Sequence, residues 1–138
     1  MLRKNQALQV LNLGGNKLSS EAVGLLARAL KENTSLETLG LANNALGALG
    51  LKPLAELSFG NVRRLDLRGN DITDVASEIV AEGLVKAGSL AFLDVRENRM
   101  TQRGINMLWS GWWRRQATLK EKEAKRQKKA KKVRILNN

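Results

Sequence analysis

One eleven-residue pattern occurs four times along the chain, and few folds can accommodate it. Its first two copies read Leu8-x-x-Leu11-x-Leu13-x-x-Asn16-x-Leu18 and Leu36-x-x-Leu39-x-Leu41-x-x-Asn44-x-Leu46. The third runs Val62, Leu65, Leu67, Asn70, Ile72, and the fourth Leu90, Leu93, Val95, Asn98, Met100. The asparagines stand 28, 26 and 28 residues apart. Alternating apolar positions mark a short strand with one buried face. Beyond each asparagine the spacing becomes i, i+4, as in Leu18, Ala22, Leu26, Leu30 or Ile72, Ala76, Val80, Leu84. That is the stripe of a helix burying one side. Small residues at one slot (Ala22, Gly50, Ala76, Gly104) let each helix approach the sheet closely. Ser19 or Ser20, and Thr73 or Asp74, stand where helix N-caps are needed. A single strand–helix unit cannot cover its own apolar face, so the units must stack with parallel strands side by side. Each asparagine falls where the chain leaves the strand and loses its ladder partners. Its amide suits the unpaired loop backbone there, which predicts a structural role for Asn16, Asn44, Asn70 and Asn98.

The pattern resembles the leucine-rich repeat, and its long period with a helix in every unit resembles the ribonuclease-inhibitor-like subfamily. The resemblance covers Leu2 to Trp113. It implies an α/β solenoid over residues 1–113, with four parallel strands each followed by a helix. Residues 114–138 then form a basic tail, helical or disordered. The second unit departs from the rule: it is two residues shorter between Leu54 and Val62, and Pro53 lacks a backbone donor. Its helix is expected to start late, near Leu51, or to last little more than two turns.

Composition removes most enzyme classes. The chain has no cysteine, no histidine and no tyrosine. Disulfides, thiolate nucleophiles, cysteine zinc sites and the commonest general base are therefore unavailable. Carboxylates such as Asp66 and Asp94 stand on adjacent strands, but nothing supplies a partnered nucleophile. The expectation is a protein without cofactor, metal or catalysis. The segment Met1–Gln6 has no apolar stretch after its basic pair, and no run is long enough to span a bilayer. An intracellular protein with no membrane contact is the reading. A Ran GTPase-activating protein resembles such a fold, but that family carries an acidic tail, opposite in sign to this one.

Both ends of the stack are informative. Leu2-Arg3-Lys4-Asn5-Gln6-Ala7-Leu8 matches Leu30-Lys31-Glu32-Asn33-Thr34-Ser35-Leu36, so the sequence opens in the last turn of a preceding unit's helix. No N-terminal cap is seen. The face around Leu11, Leu13 and Leu25 is expected to be covered by further repeats or by a partner. At the other end, Trp112 takes the core slot of Leu30 and Leu84, while Trp109 and Trp113 lie to the side where another repeat would stack. They form either a cap on the last unit or an aromatic docking patch.

In leucine-rich repeats, ligands typically bind the strand face through positions between the leucines. Those columns read Val10, Thr38, Arg64, Phe92; then Asn12, Gly40, Asp66, Asp94; then Gly14, Ala42, Arg68, Arg96. Arg64, Asp66, Arg68, Phe92, Asp94 and Arg96 form either a binding epitope or a set of charges that pair with each other across the strands. The tail is a different object. Residues 1–113 carry 13 Lys/Arg and 11 Asp/Glu, whereas residues 114–138 carry 11 Lys/Arg and 2 Glu. Arg114, Arg115, Lys125, Arg126, Lys128, Lys129, Lys131 and Lys132 point to a polyanion, with RNA phosphates favoured through counterion release. With no aromatics interleaved, the contact would read backbone and not bases. A nuclear-import signal and a solvated tail are the other uses of such a run. The expected function is a non-catalytic interaction module or structural subunit of a larger assembly, such as a ribonucleoprotein. The alternative is an axonemal or cytoskeletal scaffold that binds acidic protein tails.

Overall fold

The computed structural model describes residues 2–56 and 59–136, with side chains described as far as residue 127. Four short strands, β1 (Val10–Asn12), β2 (Thr38–Gly40), β3 (Arg64–Asp66) and β4 (Phe92–Asp94), alternate with helices α1 (Ser20–Glu32), α2 (Gly47–Glu56), α3 (Asp74–Lys86) and α4 (Gln102–Leu136). The strands form one parallel sheet in the order β1-β2-β3-β4. Their register aligns Leu11, Leu39, Leu65 and Leu93 in one row, between the columns Val10–Thr38–Arg64–Phe92 and Asn12–Gly40–Asp66–Asp94. Leucines of the middle strands are buried, while Leu11, Leu13, Leu93 and Val95 on the outer strands are only half-buried. Leu25, on α1, is exposed.

The asparagines knit the units together. Asn44 Oδ1 accepts from the backbone N–H of Asn16 and Leu18, and Asn70 Oδ1 accepts from those of Asn44 and Leu46. Asn98 does the same for Asn70 and Ile72. Each amide thus closes a gap in the preceding unit. A second ladder, not anticipated from the sequence, runs along the opposite loops. Asn33 Nδ2 donates to Leu2 O and Asn5 O, and Asn61 Nδ2 donates to Asn33 O.

Helix starts are secured in two ways. Ser19 caps α1 by accepting from the Ala22 N–H at 3.2 Å. At α3, Thr73 occupies the cap without a side-chain bond. Asp74 instead reaches the next unit, accepting from Thr101 N at 2.9 Å and Thr101 Oγ1 at 2.7 Å. That pairing is the main cause of the lowered Asp74 pKa. Between β3 and α3, Gly69 has φ +61°, a conformation that glycine adopts without strain, and a Cβ there would displace the Asn43 side chain.

In the second unit the helix does not start late, but with 10 residues it is shorter than the 13 of α1 and α3. α2 starts at Gly47 and holds Pro53 inside it. The carbonyl that Pro53 leaves without its usual helical donor belongs to Leu49, a residue 78% exposed. Phe59 fills the shortened connection: it is 2% exposed and adopts φ +59°. α4 runs on without a break for 35 residues, and every residue from Lys120 to Gln127 is exposed.

Candidate functional site

The strand face carries a shallow groove of about 280 Å³, lined by residues of all four strands from Val10 to Asp94. Its chemistry changes from one end to the other. Val10, Thr38 and Gly40 offer small or apolar groups, whereas β3 and β4 bring Arg64, Asp66, Phe92 and Asp94. Gly40 leaves room for its neighbour: a Cβ there would lie 2.7 Å from Asn12 Oδ1, so the Asn12 side chain would have to shift.

Six residues expected here converge on one face, but they divide into two sets. Arg68 forks onto Asp66 through Nε (3.0 Å to Oδ1) and Nη2 (2.8 Å to Oδ2). Arg96 makes the same fork onto Asp94 at 3.0 and 2.7 Å. Arg68 Nε also lies 3.6 Å from Asp94 Oδ2, so the four charges form a chain. Most of the pairing therefore joins the last residue of each strand to the arginine two places further on, with one cross-strand contact, where pairing across the strands was foreseen. Hydrogen bonds from Arg68 and Arg96, respectively, hold the Asp66 and Asp94 carboxyls below the usual carboxylate range. Both are ionised and occupied at neutral pH, which unfits them as proton acceptors. The reciprocal bonds raise the pKa of each arginine.

The other set is Arg64 and Phe92. Phe92 is 52% exposed, and the Arg64 guanidinium lies 5.5 Å from its ring centroid. Among the described residues Arg64 has no ion-pair partner. This stacked pair stands on the open face apart from the paired charges.

On α4, Trp109 and Trp113 are exposed, at 57% and 65%. Trp112 is half-buried against the core. Arg115, expected among the polyanion contacts, points into the molecule. It is 5% exposed, stacks 4.9 Å from the Trp112 ring, and donates through Nε to Ala87 O at 2.7 Å. Ala87 is the C-cap of α3, so the guanidinium closes a helix end, and burial lowers its pKa. Arg114, Lys125 and Arg126 are exposed. Lys128, Lys129, Lys131 and Lys132 lie on the last turns of α4, with side chains outside the described residues. Among the described residues no cluster of side chains could hold a metal ion, and no helix is long and apolar enough to cross a membrane.

A family model described as leucine-rich repeat matches residues 4–27, 32–55 and 61–76. The human NACHT, LRR and PYD domains-containing protein 13 is 32% identical over 105 residues, covering 74% of this chain and 10% of that protein. The chain spans about a tenth of the length of such curated relatives. Two solved structures share the fold. One, titled leiomodin-1 actin-binding site 2, superposes with a TM-score of 0.64 at 14% identity, covering 94% of this chain and 93% of that one. The tropomodulin C-terminal domain of Caenorhabditis elegans gives 0.52 at 16% identity, covering 89% and 93%. The unmatched fourth unit repeats the same strand, asparagine and helix as the three matched ones. The chain therefore belongs to the leucine-rich-repeat proteins.

Proposed function

We propose that this chain is a non-catalytic protein-docking module, with Phe92 and Arg64 as the anchor of its concave face. The carrying observation is that this cation–aromatic pair stands open while the charges beside it are consumed by one another. A half-exposed ring with a desolvatable guanidinium is the kind of anchor that dominates protein interfaces. The period of 26 to 28 residues, with a helix in each unit, supports the ribonuclease-inhibitor-like form. An intracellular setting fits a chain without cysteine.

The exposed basic part of α4 extends the reading. After Trp113 the helix continues for about 35 Å at 1.5 Å per residue, and it carries Arg114, Lys125 and Arg126 on its described surface. Such an arm suits a polyanion, RNA phosphate being one source. A second reading, a cytoskeletal partner with an acidic surface, is favoured by the fold shared with the actin-binding site of leiomodin-1. Affinity capture of the tagged chain from its own cell extract, with and without nuclease, separates the sources. Proteins held by the concave face persist after nuclease and are lost with Phe92→Ala. Partners that vanish with nuclease alone belong to an RNA-binding arm. If Phe92→Ala leaves every captured protein in place, the docking face is elsewhere.

A further inference from the structure

We propose that the outer edge of β4 is a second docking site, which takes an extended segment of a partner protein with alternating acidic and apolar side chains as a fifth parallel strand. It shares Arg64 and Phe92 with the concave-face reading, but its backbone groups and the groove beside α4 are separate from that face. Inside the sheet, a fixed set of backbone groups joins each unit to the next. Leu13, Leu41 and Leu67 donate their N–H groups forward to Gly40, Asp66 and Asp94. Gly15, Asn43 and Gly69 donate to Ala42, Arg68 and Arg96, while Gln9, Glu37 and Arg63 carbonyls each accept from the following strand. At β4 the equivalent groups are Val95 N–H, Glu97 N–H and Ala91 C=O. None has a backbone partner among the described residues. They are aligned by the same register that pairs the inner strands, which is the template that strand addition uses.

Beside this edge lies an apolar groove of about 320 Å³ between β4 and α4, walled by Phe92, Leu93, Val95, Ile105, Trp109 and Trp112 among others. Another repeat unit does not fit it at the usual spacing. In the inner units, Ala55 and Ala81 let the next helix come so close that a Cβ on Gly83 or Gly111 would lie 2.8 Å from Ala55 Cα or 2.6 Å from Ala81 O. Trp109 occupies the slot of those alanines and blocks that approach. A lone strand needs no such helix contact. It would turn alternate side chains toward the groove and toward the concave face. The groove asks for apolar residues. On the concave side of β3 and β4, Arg68 and Arg96 are forked onto Asp66 and Asp94, whereas Arg64, without an ion-pair partner among the described residues, lies over Phe92 on β4 and so asks for an acidic residue there.

The test uses the full chain and a fluorescein-labelled nine-residue peptide that alternates Glu and Val, with its Lys-for-Glu counterpart as control. Fluorescence anisotropy should show the acidic peptide binding at least tenfold more tightly than the control. Hydrogen exchange of the Val95 and Glu97 amides should slow when the acidic peptide is bound. Ile105→Glu places a carboxylate in the groove at a partly exposed position, and should weaken binding at least tenfold without moving the melting temperature. Equal binding of the two peptides overturns the proposal. So does binding that survives Ile105→Glu with both amides unprotected, which would locate the peptide on the basic arm. If sedimentation shows a dimer in which these amides are already protected without peptide, the edge belongs to a second copy and the proposal fails.

Discussion

Asn70→Ala is expected to lower stability by about 2–6 kcal/mol, a large share of the 5–15 kcal/mol typical of a domain. Asn70 is fully buried, and its Oδ1 is the acceptor for the N–H groups of Asn44 and Leu46. Alanine leaves both donors without a partner and out of reach of water, and each costs about 1–3 kcal/mol. The carbonyls that Asn70 Nδ2 serves fare better. Leu41 O keeps Asn44 Nδ2, and Arg68 O keeps the Asn43 N–H. Asn16, at the outer end of the same ladder, provides the contrast. It is exposed and its side chain donates only to Gly14 O, so Asn16→Ala should cost under about 1 kcal/mol. Urea unfolding of the two variants, compared at constant slope, measures the difference.

Gly111→Ala should destabilise by about 2 kcal/mol although it replaces glycine within a helix. Helix propensity alone favours alanine by about 1 kcal/mol. Packing opposes it, because a Cβ on Gly111 would lie 2.6 Å from Ala81 O, 2.9 Å from Ala81 Cα and 3.0 Å from Ala81 Cβ. These are main-chain atoms and the first side-chain carbon of a packed helix, so α4 must move bodily away from α3. Gly24 on α1 has nothing within 4 Å of its would-be Cβ. There propensity acts unopposed, and Gly24→Ala should stabilise by roughly 0.5–1 kcal/mol. Thermal melting of the two variants should therefore show shifts of opposite sign.

The solenoid was legible because its determinants are periodic. Leu11, Leu39, Leu65 and Leu93 occupy one slot of the repeat, and the register places them in one row. The role of Asn44, Asn70 and Asn98 followed from the same period. The Asn5–Asn33–Asn61 ladder also repeats every 28 residues and was available to the same reading, but no leucine pattern draws attention to it. What stayed hidden depends on contacts between units. In sequence Arg115 is one cation in a basic run; only the stacking of α4 on α3 brings it to the carbonyl of Ala87. Phe59 looks like a loop residue until the shortened second unit folds it inward. The strand-face charges were visible as a column, but whether they bind a partner or one another is decided by side-chain geometry. A two-residue spacing at the end of each strand brings Arg68 and Arg96 onto Asp66 and Asp94. Pro53 misled for a related reason, since its effect depends on where in the fold the freed carbonyl lies.

The most direct measurement is a titration of one nuclease-resistant protein partner against the intact chain and its Phe92→Ala and Arg64→Ala variants. Circular dichroism and melting should first show that both variants remain folded, since both residues are exposed on the sheet. Docking on the concave face predicts a loss of at least about tenfold in affinity for Phe92→Ala, the 1.4 kcal/mol or more expected of an interface anchor, with a smaller loss for Arg64→Ala. Unchanged affinity in both variants would contradict it.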